Sequence, residues 1–257
     1  MFIVSSTYIQ LKQNLEYLKL NKMNETLDET LDFISKNNLS ITEALIKLTQ
    51  IEIDQKESNM IKSMVKVGAF PHLRELKDFD FDFQPSINRQ QIYDLETLRF
   101  VENKENIVFL GTSGVGKTHL AVSLGITAAK HRNSTYFIKC HDLIQQLRKA
   151  YIENRLEDRL RHFTKYKVLI IDELGYLPIN KEDAKLFFQL IDRRYEKRST
   201  IITTNIHFSE WDEVFCDAMM ANAILDRVLH HAHVITITGK SYRLKDHLRQ
   251  NDEETVI

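Results

Sequence analysis

Apolar residues along the chain follow two rhythms, and the change between them falls near residue 100. In the first part, Leu11, Leu15 and Leu18 recur at helical spacing, as do Leu27, Leu31 and Ile34. That period lays one side of a helix against a core. Ser40 and Glu43 have the capping-box pattern ahead of Ala44, Leu45, Ile46 and Leu48, with Ile51 extending the same face. No glycine or proline interrupts the chain before Gly68. A small helical bundle is therefore expected over residues 1–69, ending in a helix through Met60–Val67. Gly68 to Pro71 break it. Asp78 to Phe83 then alternate acidic and aromatic residues, as an edge strand or a linker would.

From residue 106 short apolar runs alternate with helix-length segments. The expected strands are Ile107–Leu110, Thr135–Cys140, Val168–Asp172, Thr200–Thr204 and His233–Thr238; the expected helices include Lys117–His131, His141–Phe163 and Lys181–Lys197. Buried β-rich runs separated by helices predict an α/β domain, residues 70–257, with a parallel sheet covered on both faces. The all-α part precedes it.

Composition narrows the classes. Of 257 residues 43% are hydrophobic, enough for a real core, and 35 basic side chains against 36 acidic ones leave a net charge of −1. The molecule is no polycation, so a nucleic-acid surface has to be a local patch. Residues 130–167 offer one, with ten Lys or Arg against four Asp or Glu, among them Arg148, Lys149, Arg155, Arg159, Arg161, Lys165 and Lys167. A solvated helix face fits the same residues. Two cysteines, Cys140 and Cys216, exclude a disulfide scaffold. No apolar run is long enough to span a membrane, and Met1 to Ser5 lack the basic flank of a signal peptide. A cytoplasmic protein without a membrane partner is expected.

Glycine is the informative count: three of only seven fall at Gly111, Gly114 and Gly116. Gly111, Thr112, Ser113, Gly114, Val115, Gly116, Lys117 and Thr118 match the P-loop pattern between a strand and a helix. Glycines there let backbone N–H groups turn toward phosphate oxygens, and the helix start adds its positive dipole end. Lys117 is expected to reach the β- and γ-phosphates of ATP, and His119 is counted with the nucleotide-binding turn. Thr118 and Asp172, the acid ending an apolar strand, are the expected Mg2+ ligands. Glu173 beside it can accept a proton from an attacking water, which suits hydrolysis. In the strand order of many P-loop ATPases, Thr200–Thr204 lies between the two motif strands, which turns Asn205 toward the γ-phosphate. The Phe residues of the 78–83 segment are candidates to line the base.

Together these segments resemble AAA+ ATPases, and within them the IstB-type transposition helpers and the DnaC-type helicase loaders, the IstB type most closely. The resemblance rests on Asn106–Ala121, Val168–Pro178, Thr203–Trp211, Ala223–His233 and Gly239–Arg243. It implies two further catalytic residues: Arg227 as an arginine finger entering a neighbouring subunit's site, and Arg243 as a sensor-2 arginine in its own. It implies a homo-oligomer acting on double-stranded DNA without sequence preference, together with the transposase of the same mobile element. A helicase loader shares these catalytic motifs. A P-loop kinase for a small molecule fits them less well, given Glu173, Asn205 and Arg227, and a scaffold with negligible hydrolysis is disfavoured by Glu173. Around Glu52–Lys66, where the family is often arginine-rich, this chain carries only Lys56, Lys62 and Lys66. The His230, His231 and His233 run has no cysteine or acid nearby at ligand spacing, so it is not read as a metal site.

Overall fold

The structure is a computed structural model that describes residues 6–244. The chain divides into two compact units at Ser63/Met64. In the first, α1 (Ser6–Tyr17), α2 (Asn21–Glu25), α3 (Leu27–Lys36) and α4 (Ile41–Val67) surround a small core of Leu15, Met23, Leu27 and Leu48. Ser40 and Glu43 do cap α4: Ser40 N–H donates to the Glu43 carboxylate at 2.8 Å and Glu43 N–H to the Ser40 hydroxyl at 3.3 Å. The expected helix at Met60–Val67 is the end of this single 27-residue helix. Glu52 is buried and accepts the Met23 N–H at 3.0 Å.

The second unit is built on five parallel strands, β1 (Asn106–Gly111), β2 (Thr135–Lys139), β3 (Val168–Leu174), β4 (Ser199–Thr204) and β5 (Ala232–Ile237), in the order β2-β3-β4-β1-β5. β4 therefore lies between β1 and β3, as anticipated. Short helices α5 (Arg89–Glu96) and α6 (Arg99–Glu102) precede β1. Helices α7 (Lys117–Lys130), α8 (Cys140–Ile152), α9 (Leu156–Thr164), α10 (Lys181–Arg194), α11 (Trp211–Phe215) and α12 (Ala218–Leu229) complete the layers. Apolar residues of alternate strand positions feed two cores, one with α7 and the segment before β1, the other with α8 to α12. No helix among the described residues is long and apolar enough to cross a membrane.

One expectation is corrected: the stretch His141–Phe163 is two helices, because Asn154 turns into the left-handed region at φ 53°. Of the two readings of Asp78 to Phe83 the linker holds; the segment is a short 3-10 turn at Leu76–Asp78 followed by loop, with Phe81 buried.

Arg194, at the end of α10, holds the rear of the sheet together. It is fully buried and donates to the carbonyls of Phe163, Tyr166 and Ser199 and to the Thr200 hydroxyl, at 2.5–3.0 Å. Burial pushes its guanidinium down to about 9, and carbonyls near the C-terminal end of α9 offset that cost. Arg194→Met should strand three buried carbonyls and cost about 3 kcal/mol or more in urea unfolding. A loss below about 1 kcal/mol would show that water replaces the side chain.

Candidate active site

The P-loop joins β1 to α7 and can turn so tightly only because of its glycines. Gly114 and Gly116 adopt φ of 81° and 104°, and a Cβ at Gly116 would lie 2.6 Å from the Phe79 ring. Buried Val115 pins the loop from beneath. Lys117 is folded back inside it, its ammonium donating to the carbonyls of Gly111 and Thr112, each at 2.7 Å. Burial lowers its pKa, and the Arg243 charge adds to this, while Asp172 and Glu173 oppose it.

Asp172 sits at the carboxyl end of β3, buried, with Oδ1 accepting from Thr118 Oγ1 at 2.8 Å and from Thr203 Oγ1 at 2.6 Å. Burial raises the pKa of this carboxyl; the two hydroxyls pull it back toward the anion. Immediately after it the register between β3 and β4 shifts and Glu173 takes a left-handed φ of 60°. The Glu173 N–H donates to Thr203 Oγ1 at 3.0 Å. Such a bulge re-aims a side chain. Here it leaves Glu173 exposed in an otherwise buried strand, with Lys139 Nζ 2.9 Å from its Oε2.

These groups line one cavity of about 940 Å³ at the carboxyl ends of β1, β3 and β4. Ser113, Gly114, Val115, Gly116, Lys117, Thr118, His119, Asp172, Glu173, Asn205 and Arg243 all reach it. Gly111 and Thr112 are outside the lining and act through their carbonyls on Lys117. Arg243 is brought in by the contact of Tyr242 N–H with the Gly114 carbonyl at 2.9 Å. His72, Phe79 and Gln84 also line the cavity. Phe79 meets the His119 ring edge-on at 5.3 Å, and His119 takes the Glu75 carbonyl at 3.1 Å. Of the Phe residues in the 78–83 segment, Phe79 is the one that lines this cavity.

Residues 13–250 match the family model described as IstB-like ATP binding protein. The chain belongs to the IstB-like ATP-binding family. It is 67% identical to a protein described as the ATP-binding protein of insertion sequence IS232 from Bacillus thuringiensis subsp. berliner, over 97% of this chain and 100% of that one. It is 43% identical to the corresponding protein of insertion sequence IS5376 from Geobacillus stearothermophilus, over 92% and 94%. In fold alone it resembles DnaI, with a TM-score of 0.56 at 21% identity over 69% of this chain and 94% of that one. It likewise resembles AMPPCP-bound DnaA from Aquifex aeolicus, with a TM-score of 0.54 at 18% over 74% and 58%. The IstB-like chain is an ATP-binding protein with an AAA+ fold.

Arg227 is the one expected site residue that neither lines the cavity nor, through the P-loop, contacts a residue that does. It lies on α12 outside the cavity, with Nε 3.2 Å from Asp192 Oδ1, a second pair to Asp226, and its guanidinium 4.9 Å above the Tyr195 ring. In the basic segment, Arg148, Arg155 and Arg161 are ion-paired to Asp183, Glu153 and the Glu157/Asp158 pair. These pairs are exposed on the arginine side and exchange readily for other anions.

Sequence reasoning gave no role to Thr203 or Lys139. Thr203 opens one of the segments that carry the resemblance, yet only the structure shows that its hydroxyl joins Asp172 to the Glu173 backbone. Lys117→Ala should lower affinity for a fluorescent ATP analogue at least tenfold, measured by equilibrium titration; unchanged affinity would remove the P-loop from the site. Thr203→Val should leave that affinity within about threefold while hydrolysis falls tenfold or more. Equal loss of binding would mean Thr203 supports the P-loop and not the carboxylates.

Proposed function

We propose that this chain hydrolyses ATP to ADP and phosphate with Mg2+, assembles as a homo-oligomer on double-stranded DNA, and assists the transposase of its own mobile element in the cytoplasm. The observation that carries hydrolysis is the Glu173 carboxylate, exposed in the cavity beside buried Asp172. Thr118 and Asp172 are hard oxygen donors that fit Mg2+, which when bound draws charge from the phosphate oxygens. Asn205 orients a water, and the Glu173 carboxylate, ion-paired with Lys139, accepts its proton as the water oxygen joins the γ-phosphorus and ADP departs with the bridging oxygen. Lys117 and Arg243 offset negative charge on the transferring group. A base for water favours hydrolysis over transfer to a bound metabolite.

Oligomeric action is supported by Arg227, which is remote from its own cavity yet matches the family's arginine finger in sequence. A neighbour's guanidinium would complete each site, through a head-to-tail contact. Relatives whose printed names belong to insertion sequences favour the transposase reading over the helicase loader. The basic residues of α8 and α9 are the candidate DNA surface, reading phosphate and not bases.

Two measurements test this reading. Mixing Lys117→Ala with Arg227→Ala, each inactive alone, should restore part of the ATPase activity, because some interfaces pair an intact P-loop with an intact arginine. No rescue in mixed oligomers confirmed by mass would assign Arg227 to its own subunit. DNA affinity, followed by anisotropy with ATP present, should fall roughly tenfold or more between about 50 and 200 mM salt. A flat salt response would contradict a phosphate-contact surface.

A further inference from the structure

The fold brings together three metal-binding side chains that the sequence keeps apart. Glu196 lies in the turn between α10 and β4, while His230 and His231 lie between α12 and β5. Because β4 and β5 flank β1 in a parallel sheet, both turns open at the amino-terminal end of the strands, the end away from the ATP cavity. Glu196 Oε1 is 3.5 Å from His231 Nε2 and 3.9 Å from His230 Nδ1. All three ligand atoms lie within 4.8 Å of one another, and all three residues are exposed. Bond lengths of about 2.0–2.2 Å around a tetrahedral ion place neighbouring ligand atoms roughly 3.3 Å apart. Small side-chain rotations close the difference. His233, the third histidine of the run, is held elsewhere by Glu105 at 2.8 Å.

We propose that Glu196, His230 and His231 form a binding site for a divalent transition metal of the Zn2+ class. Two imidazoles and one carboxylate are the donor set for Zn2+, Co2+ or Ni2+, and three protein ligands leave a coordination position for water. Mg2+ and Ca2+ prefer all-oxygen sites, so the ion that accompanies ATP does not compete. The Tyr195 hydroxyl meets His230 Nδ1 at 2.5 Å, on the nitrogen the metal takes, so metal binding replaces this hydrogen bond. Tyr195 is also the ring beneath Arg227.

The test uses the full-length chain with any affinity tag removed, without nucleotide and with millimolar Mg2+ present. Co2+ is titrated by its visible absorbance and Zn2+ by competition with a chromophoric chelator. One equivalent per chain is expected, and His231→Ala and Glu196→Gln should each weaken it tenfold or more. His131→Ala, an exposed histidine at the end of α7, should change nothing. Absence of stoichiometric binding, or equal affinity in wild type and both site variants, would overturn the proposal. Both substitutions are at exposed positions, and an unchanged ATP-analogue affinity verifies that each variant is folded.

Discussion

A single buried carboxylate oxygen ties the site together. Asp172 Oδ1 accepts from Thr118 at the start of α7 and from Thr203 in β4, so three elements distant in sequence meet at one atom. Burying a carboxylate is costly, and the upward pull on its pKa records that cost. Two hydroxyl donors offset it, and both are short side chains that permit only close approach. The P-loop, the end of β3 and the end of β4 are thereby held at fixed separations. Thr203 then uses its remaining capacity to accept the Glu173 N–H, which stabilises the bulge that exposes Glu173. One hydroxyl thus touches both Asp172 and the backbone of Glu173, the two acids to which the proposed reaction assigns the metal and the water.

Around that centre Lys117, Arg243 and the loop glycines share the cavity lining with His72, Phe79 and Gln84. The Phe79 ring fills the space that a Cβ at Gly116 would need. Arg227 lies outside the cavity lining. Its pairs with Asp226 on α12 and Asp192 on α10 tie it across those two helices.

Much of this was legible in the sequence because local rules and global fold agree. The five strands, the P-loop and the Asp172–Glu173 pair are carried by short-range signals: apolar runs, glycine spacing, and acids ending a strand. The misread segment depended on what sequence rules see poorly: Asn154 breaks a helix without glycine or proline. The Phe-Asp alternation at 78–83 left strand and linker open, and its rings pack on His119, Tyr93 and Tyr242 in a loop. Thr203, Lys139 and Arg194 were invisible for a third reason. Their importance lies in partners contributed by other elements, as does that of Glu196 beside the two histidines. Spacing along one chain segment cannot report a contact made by two.

The central claim is that Glu173 is the base for water at a site already complete for binding ATP. Single-turnover hydrolysis by Glu173→Gln, with ATP affinity measured on the same preparation, addresses it most directly. Glutamine keeps the shape but cannot take the proton. The account predicts binding within about threefold of wild type and hydrolysis slowed by roughly a hundredfold or more. Hydrolysis at the wild-type rate with intact binding would contradict it.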